Sequence, residues 1–195
     1  MRILYNVCRM MLLAFYWPAI KLTKKFPKYW DRLRLYKYEL QRTNIFGAKE
    51  FFKLHTYKCV SQKTFKMFLR TPGKIEDQII GLGKFENHIT QIMPQLIQPN
   101  SIFLDVGANI GYHTLNVLAH ESSAQAYCFE PNPEIKYELD RNVRMNNYQD
   151  RIFTQSIALS DAEGEFDFYV MPQSEMNRGT SSLIPEAVNS KFLKI

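Results

Sequence analysis

The run Phe103-Leu104-Asp105-Val106-Gly107-Ala108-Asn109-Ile110-Gly111 has the form of a short apolar strand, a tight glycine turn and the start of a helix. Glycines at 107 and 111 remove the Cβ atoms that would hold a ligand away from the backbone, and the amides at the following helix terminus favour an anionic group. A purely structural turn yields the same string, so the loop alone does not name a ligand. Glu130 adds to it. It stands 19 positions beyond Gly111 at the end of the next strand, where folds of this kind place an acid against a ribose. A carboxylate there accepts hydrogen bonds from both ribose hydroxyls. Its structural alternative is a surface acid at a helix start, a place that Glu134 already fills.

The glycine spacing narrows the ligand. Dinucleotide-binding loops carry a second glycine for the pyrophosphate and a third for helix–strand packing. Here those positions are Asn109 and Tyr112. A ribose without a pyrophosphate is therefore expected, and S-adenosylmethionine has a ribose, an adenine and an amino-acid tail. Asp105 would favour the ammonium of that tail, directly or through water, and the loop amides would take its carboxylate.

Positioning such a loop requires a parallel sheet and helices. Residues 102–106 read as a buried strand, followed by a helix carrying Leu115, Val117, Leu118 and Ala119. A second strand at 126–129 leads into Pro131-Asn132-Pro133-Glu134, where Asn as N-cap, Pro at the first helical position and Glu in the first turn all suit a helix start. That helix buries Ile135, Leu139 and Val143 and ends at Asn146-Asn147. A third strand is expected over 152–159. After the turn Asp161-Ala162-Glu163-Gly164, Phe166, Phe168 and Val170 alternate with polar residues as in a strand with one wet face. Upstream, 51–70 reads as a hairpin ending at Thr71-Pro72-Gly73. Phe85, Ile89, Ile92 and Leu96 then form the apolar face of a helix that Pro94 and Pro99 terminate.

With 195 residues and 46% hydrophobic content, one α/β domain with an extension is expected: an extension over 1–50 and a domain over 51–195. Charge divides along the same line, since residues 1–70 hold 16 Lys/Arg against 3 Asp/Glu and the remainder 9 against 16. Residues 1–45 read as helical, basic and aromatic, with Trp17, Trp30, Tyr36 and Tyr38 among Lys24, Lys25, Arg32 and Arg34. That mixture suits an anionic membrane surface, RNA, or packing against the domain itself or a subunit partner. The apolar run 10–20 has 11 residues, against about 20 needed to span a bilayer. Three widely spaced cysteines and four scattered histidines indicate neither a disulfide framework nor a metal site, and a reducing cytoplasm, with membrane association through 1–45, is the expected setting.

The runs FLDVGANIGYHT at 103–114, Phe129-Glu130-Pro131-Asn132-Pro133, Ile157-Ala158-Leu159-Ser160-Asp161 with Gly164, and Asn177-Arg178-Gly179-Thr180-Ser181-Ser182-Leu183 resemble, in order and spacing, the FkbM-type methyltransferases. Gly83-Lys84-Phe85-Glu86 is similar to the family's lead-in, and the resemblance covers roughly 53–183. It implies a Rossmann-like class I methyltransferase fold and methyl transfer from S-adenosylmethionine to a hydroxyl of a glycan, glycolipid or natural product, without metal. Carried over residue by residue, Gly107, Asn109 and Gly111 hold the amino-acid tail, Glu130 the ribose, and Pro131, Asn132 and Ala158 the adenine. Asn177, Ser181 and Ser182 border the acceptor. His113 is the candidate general base, with capping or packing at a helix start as its alternative. The resemblance departs at the end. The family continues through further strands that carry catalytic residues, so a sheet truncated after its third strand and the following hairpin is expected. The outer edge of residues 102–106 would then be open to an oligomeric mate or a complementing C-terminal chain. A remnant that binds cofactor or a partner protein without turnover is the competing reading. An RNA amino-methyltransferase is disfavoured, because Asn132-Pro133 follows the second strand and lacks the Asn-Pro-Pro-aromatic form.

Overall fold

The computed structural model describes residues 51–59, 61–171, 179, 181, 183 and 193–194. The basic extension expected over 1–50, Asn177 and Ser182 lie outside the described residues. Strands β1 (Phe51–Lys58) and β2 (Thr64–Thr71) pair antiparallel as the expected hairpin. Phe65, Met67 and Leu69 of β2 are buried while Thr64 and Lys66 face water.

Two helices follow, not one. The first, α1 (Lys74–Leu82), was not anticipated from the sequence; it carries Glu76 and Asp77 in its first turn, and Gly83 closes it at φ 75°. The second, α2 (Asn87–Leu96), corrects the expected apolar face. Ile89, Ile92 and Leu96 are 38%, 55% and 71% exposed, whereas Thr90 and Pro94 are buried. The helix is turned by Tyr112, whose hydroxyl hydrogen-bonds with the Phe85 backbone and the Thr90 side chain. Pro94 lies within the helix and does not end it.

Strands β3 (Ile102–Val106), β4 (Gln125–Phe129) and β5 (Ile152–Gln155) form a parallel sheet in that order. Helices α3 (Tyr112–His120) and α4 (Pro133–Met145) are the crossovers. Both connections step the same way along the sheet, so the right-handed crossover rule places both helices on one face. Ala126, Cys128 and Ile152 are buried on that face. On the other face Ile102, Leu104 and Val106 are 61–62% exposed and Phe153 is 45% exposed. The strand expected to be buried is therefore covered on one side only, among the described residues, and its outer edge is open. The α/β class and parallel order agree with the sequence reading.

The hairpin forms a further layer on the outside of α3 and α4. Asparagines join it to α4. The Asn146 side chain accepts from Lys66 N at 2.7 Å and donates to Lys66 O at 2.7 Å, and Asn142 Oδ1 accepts from Phe68 N at 2.7 Å. These amides satisfy the edge of β2 as a neighbouring strand would. Asn132 caps α4 as expected, accepting from Glu134 N at 3.0 Å and Ile135 N at 3.4 Å. The Arg151 guanidinium gathers the carbonyls of Leu118, Ser122 and Ala124 at the end of α3.

Two strand expectations shrink. The third strand ends at Gln155, and residues 156–160 leave the sheet as a loop. Of the alternating run 165–170 only Tyr169–Val170 (β6) is strand, paired with Leu193–Lys194 (β7). Alternation needs a neighbour to become a strand, and Phe166, 52% exposed, has none among the described residues. No helix among the described residues is long and apolar enough to cross a membrane.

Candidate functional site

The C-terminal ends of the parallel strands carry the glycine loop. Gly107 is exposed at φ +73°, and a Cβ built on it would meet nothing within 4 Å. Gly111, at φ +86°, is different: its Cβ would lie 2.5 Å from Cδ1 of Leu139 on α4. Both glycines require the left-handed backbone, yet one is open to a ligand and the other lets α3 and α4 pack closely. The packing glycine found missing at 112 is thus supplied at 111. Asn109 is a third left-handed residue, at φ 50°.

The loop is tied to β4. Gly107 N and Ala108 N donate to the Phe129 carbonyl at 2.9 and 3.1 Å, and Gly111 N donates to Ala108 O at 2.9 Å. Asn109 N donates to Glu130 Oε2 at 3.0 Å, and Ile110 N to Asn109 Oδ1 at 2.8 Å. The amides of 107–111 are therefore engaged within the protein. This departs from the expectation that they receive a ligand carboxylate; the orphan amides nearest the loop are those at the start of α3.

Glu130 is 6% exposed, and its second oxygen accepts from Asn132 N at 2.9 Å. Burial pushes its pKa above the usual carboxylate range, the two amide bonds oppose that, and the Asp105 charge adds to it. Each oxygen retains a lone pair, so the group braces the loop and still has acceptor capacity. Asp105 receives the Thr114 hydroxyl, which also lies 3.2 Å from Cys128 Sγ. Burial raises the Asp105 pKa, while Thr114 and His113 pull it down.

His113 Nε2 lies 2.9 Å from Glu86 Oε2, and its Nδ1 is buried without a hydrogen-bond partner. Glu86 occupies a left-handed backbone position at φ 42° before α2. The pair joins the starts of α2 and α3, and His113 is not among the residues lining the cleft.

That cleft, ≈ 500 Å³, is bounded by Val106, Gly107, Phe129, Pro131, Ala158 and Ser181. It runs through Pro131, Ala158 and Leu183 into a trough of ≈ 830 Å³ that reaches Pro133 and Phe166. Gly107, Pro131, Ala158 and Ser181 are thus brought together as the sequence suggests. Asn132 is not: at 4% exposure it is the helix cap beneath. Asp161, Phe168 and Leu183 also line the cleft. The sequence offered Asp161 as a turn residue and as the end of a family-like run, without a role in the site, and Phe168 as a strand residue. Gly179 closes on the loop, since a Cβ there would lie 2.7 Å from Asn109 Nδ2 and 3.3 Å from Ile75 Cδ1. Among the described residues no cluster of His, Cys, Asp or Glu is arranged to hold a metal ion.

Residues 105–192 match the family described as the Methyltransferase FkbM domain. The 2-O-methyltransferase NoeI of Sinorhizobium fredii is 33% identical over 79 residues, 40% of this chain and 31% of that protein. Methyltransferase sdnD of Sordaria araneosa is 29% identical over 120 residues, 62% of this chain and 44% of that protein. The chain thus spans less than half the length of these relatives. A crystal structure of P. horikoshii TYW2 in complex with MeSAdo superposes with TM-score 0.46 at 18% identity, covering 73% of this chain and 53% of that one.

Proposed function

We propose that this chain, whose residues 105–192 match the family described as the Methyltransferase FkbM domain, binds S-adenosylmethionine in the cleft beside Gly107 and serves methyl transfer to a hydroxyl oxygen of a glycan, glycolipid or natural product. The observation that carries the reading is Gly107 itself, a left-handed, exposed position with open space where its Cβ would be, on the wall of a cleft that also holds Pro131 and Ala158. When bound, the cofactor supplies a methyl group on a sulfonium, electrophilic enough for direct displacement. The chain's own part is to bind and orient it. The first-turn amides of α3 take the tail carboxylate, and Asp105 the ammonium. The remaining lone pairs of Glu130 take the ribose hydroxyls, and Pro131 and Ala158 flank the adenine. Asp161, exposed on the same cleft, accepts from the adenine amine in this reading. Similarity to a 2-O-methyltransferase supports oxygen as the acceptor.

Calorimetry with S-adenosylhomocysteine tests the binding step. Saturable binding by the parent chain, weakened about tenfold or more in Glu130→Ala, is the expected result. Equal affinities in the two proteins would remove the ribose assignment, and no binding by the parent would remove the whole reading.

A second reading, cofactor binding without transfer, is favoured by one observation: among the described residues β3 is an edge strand with no neighbour beyond it. Incubation with labelled methyl donor and a glycan extract separates the two. Label in the extract supports transfer.

A further inference from the structure

Between Glu50 and Glu76 the chain carries Lys53, Lys58, Lys63, Lys66, Arg70 and Lys74 and no Asp or Glu, so the hairpin layer is cationic along its length. Two of these charges are engaged inside the molecule. Arg70 faces Glu138 of α4 at 3.8 Å, and Lys63 Nζ donates to the His120 carbonyl at 3.0 Å. Strand pairing sorts the others. Tyr57, Phe65, Met67 and Leu69 are buried on the inner face, so Leu54, Thr56, Lys58, Thr64, Lys66 and Phe68 share the outer one. Lys66 stands opposite Thr56 and diagonal to Lys58, and Leu54 stands opposite Phe68. Phe68 is half-buried and the other five are exposed, Leu54 to 50%.

Helix α4 widens this face. The Arg141 guanidinium lies 3.3 Å from the centre of the Phe68 ring. Tyr137 and Arg144 lie four residues before and three after Arg141, on the same helix stripe, and both are exposed. The acids of α4 are turned elsewhere: Glu138 to Arg70, Asp140 to Lys136 at 2.8 Å, and Glu134 into the first turn of the helix. An apolar pair, Leu54 and Phe68, is thus flanked by Lys58, Lys66, Arg141 and Arg144, with Tyr137 at the rim.

That combination fits a bilayer rich in anionic lipid, where cations meet phosphates while tyrosine and leucine enter the headgroup level. Single-stranded nucleic acid fits it less well. Base stacking needs an open aromatic face, but Arg141 already covers Phe68 and Leu54 has no ring to offer. Residues 1–50, with 11 Lys/Arg against 3 Asp/Glu, have the same sign as the face. Like charge gives them no attraction to it and the same preference for an anionic partner.

We propose that the outer face of the β1–β2 hairpin, with Tyr137, Arg141 and Arg144 of α4, seats the chain on an anionic phospholipid surface. The hairpin lies outside α3 and α4, so a chain seated in this way keeps the cleft beside Gly107 open. The docking does not depend on the cofactor reading.

Sedimentation of the full chain with vesicles of phosphatidylcholine, with or without about one-third phosphatidylserine, tests it. Binding to the anionic vesicles alone is expected. Each cation near such a surface strengthens partition about fivefold, so Lys58→Gln/Lys66→Gln should bind tenfold or more weakly, with unchanged circular dichroism. Lys74→Gln/Lys84→Gln removes the same charge at the two ends of α1 and should stay within about threefold of the parent. Failure to bind anionic vesicles, equal binding to neutral ones, or equal losses in the two double variants would overturn the proposal. So would unchanged binding by Lys58→Gln/Lys66→Gln. A single-stranded RNA oligonucleotide held more tightly than the vesicles, and released by that same variant, would assign the face to nucleic acid instead.

Discussion

Gly111 on the loop and Leu139 on α4 approach so closely that a single added carbon on the glycine would sit 2.5 Å from the leucine Cδ1. This contact fixes how the two crossover helices meet under the sheet. Gly111→Ala must both displace Leu139 and hold an L-residue at φ +86°, for a combined loss of about 2–4 kcal/mol. Gly107→Ala meets no neighbour and bears only the backbone cost of about 1–2 kcal/mol. Denaturant midpoints measured side by side check the difference, and equal losses would contradict the packing role of Gly111.

The same two positions should separate in binding. On the proposed function, Gly107→Ala places a methyl group in the path of the cofactor, so S-adenosylhomocysteine affinity should fall tenfold or more in a protein that remains folded. Affinity within twofold of the parent, by calorimetry, would show that the ligand does not pass over this residue.

Glu130→Gln keeps the shape of the side chain but replaces one acceptor oxygen with an amide donor. One of the buried amides of Asn109 and Asn132 then loses its partner, at about 1–3 kcal/mol. The loop amides should exchange faster with deuterium, most of all Asn109. An unchanged exchange pattern would mean that the carboxylate does not brace the loop.

Burial raises the pKa of Asp105, so between its unfolded value near 4 and its higher folded value the native state binds the extra proton. The Asp105 contribution is fully present below the unfolded pKa and is lost as pH rises through the folded one. Asp105→Asn removes this dependence and can still accept from the Thr114 hydroxyl. The parent should lose stability relative to Asp105→Asn as pH rises from 4, with the difference levelling off above the folded pKa. Urea titrations across pH 4–8 test it, and a difference that moves the other way would contradict the burial argument.

Asn142 joins three parts of the molecule: its Oδ1 accepts from Phe68 N, and its Nδ2 donates to Ile110 O at 3.0 Å. Asn142→Ala leaves two backbone groups unsatisfied in the interior, at about 2–4 kcal/mol. Chemical denaturation measures this directly. A loss below about 0.5 kcal/mol, within the range of an ordinary surface substitution, would deny it a bridging role.

The strand–turn–helix around Gly107, the capped start of α4 at Asn132 and the acid at Glu130 were legible because each is a local arrangement, decided by residues a few positions apart. The hairpin was legible for the same reason. Helix α1 escaped because nine residues containing a glycine carry little periodicity. The face of α2 was misread because Tyr112, far along the chain, binds Thr90 and turns the helix. Of the strand expected over 165–170 only Tyr169–Val170 found a partner among the described residues, which no local pattern can reveal.

By itself the chain order of residues determined a strand–glycine turn–helix loop whose glycine spacing departs from that of a pyrophosphate site, with an acid at the end of the next strand. Tertiary structure alone decided which glycine faces open space in the cleft and which faces Leu139. It also decided that the loop amides bond to Phe129 and Glu130, and that one face of the sheet is left bare. Those outcomes depend on groups brought together by packing across 20 to 30 positions, where steric exclusion and hydrogen-bond satisfaction are properties of the assembled layers and not of any single segment.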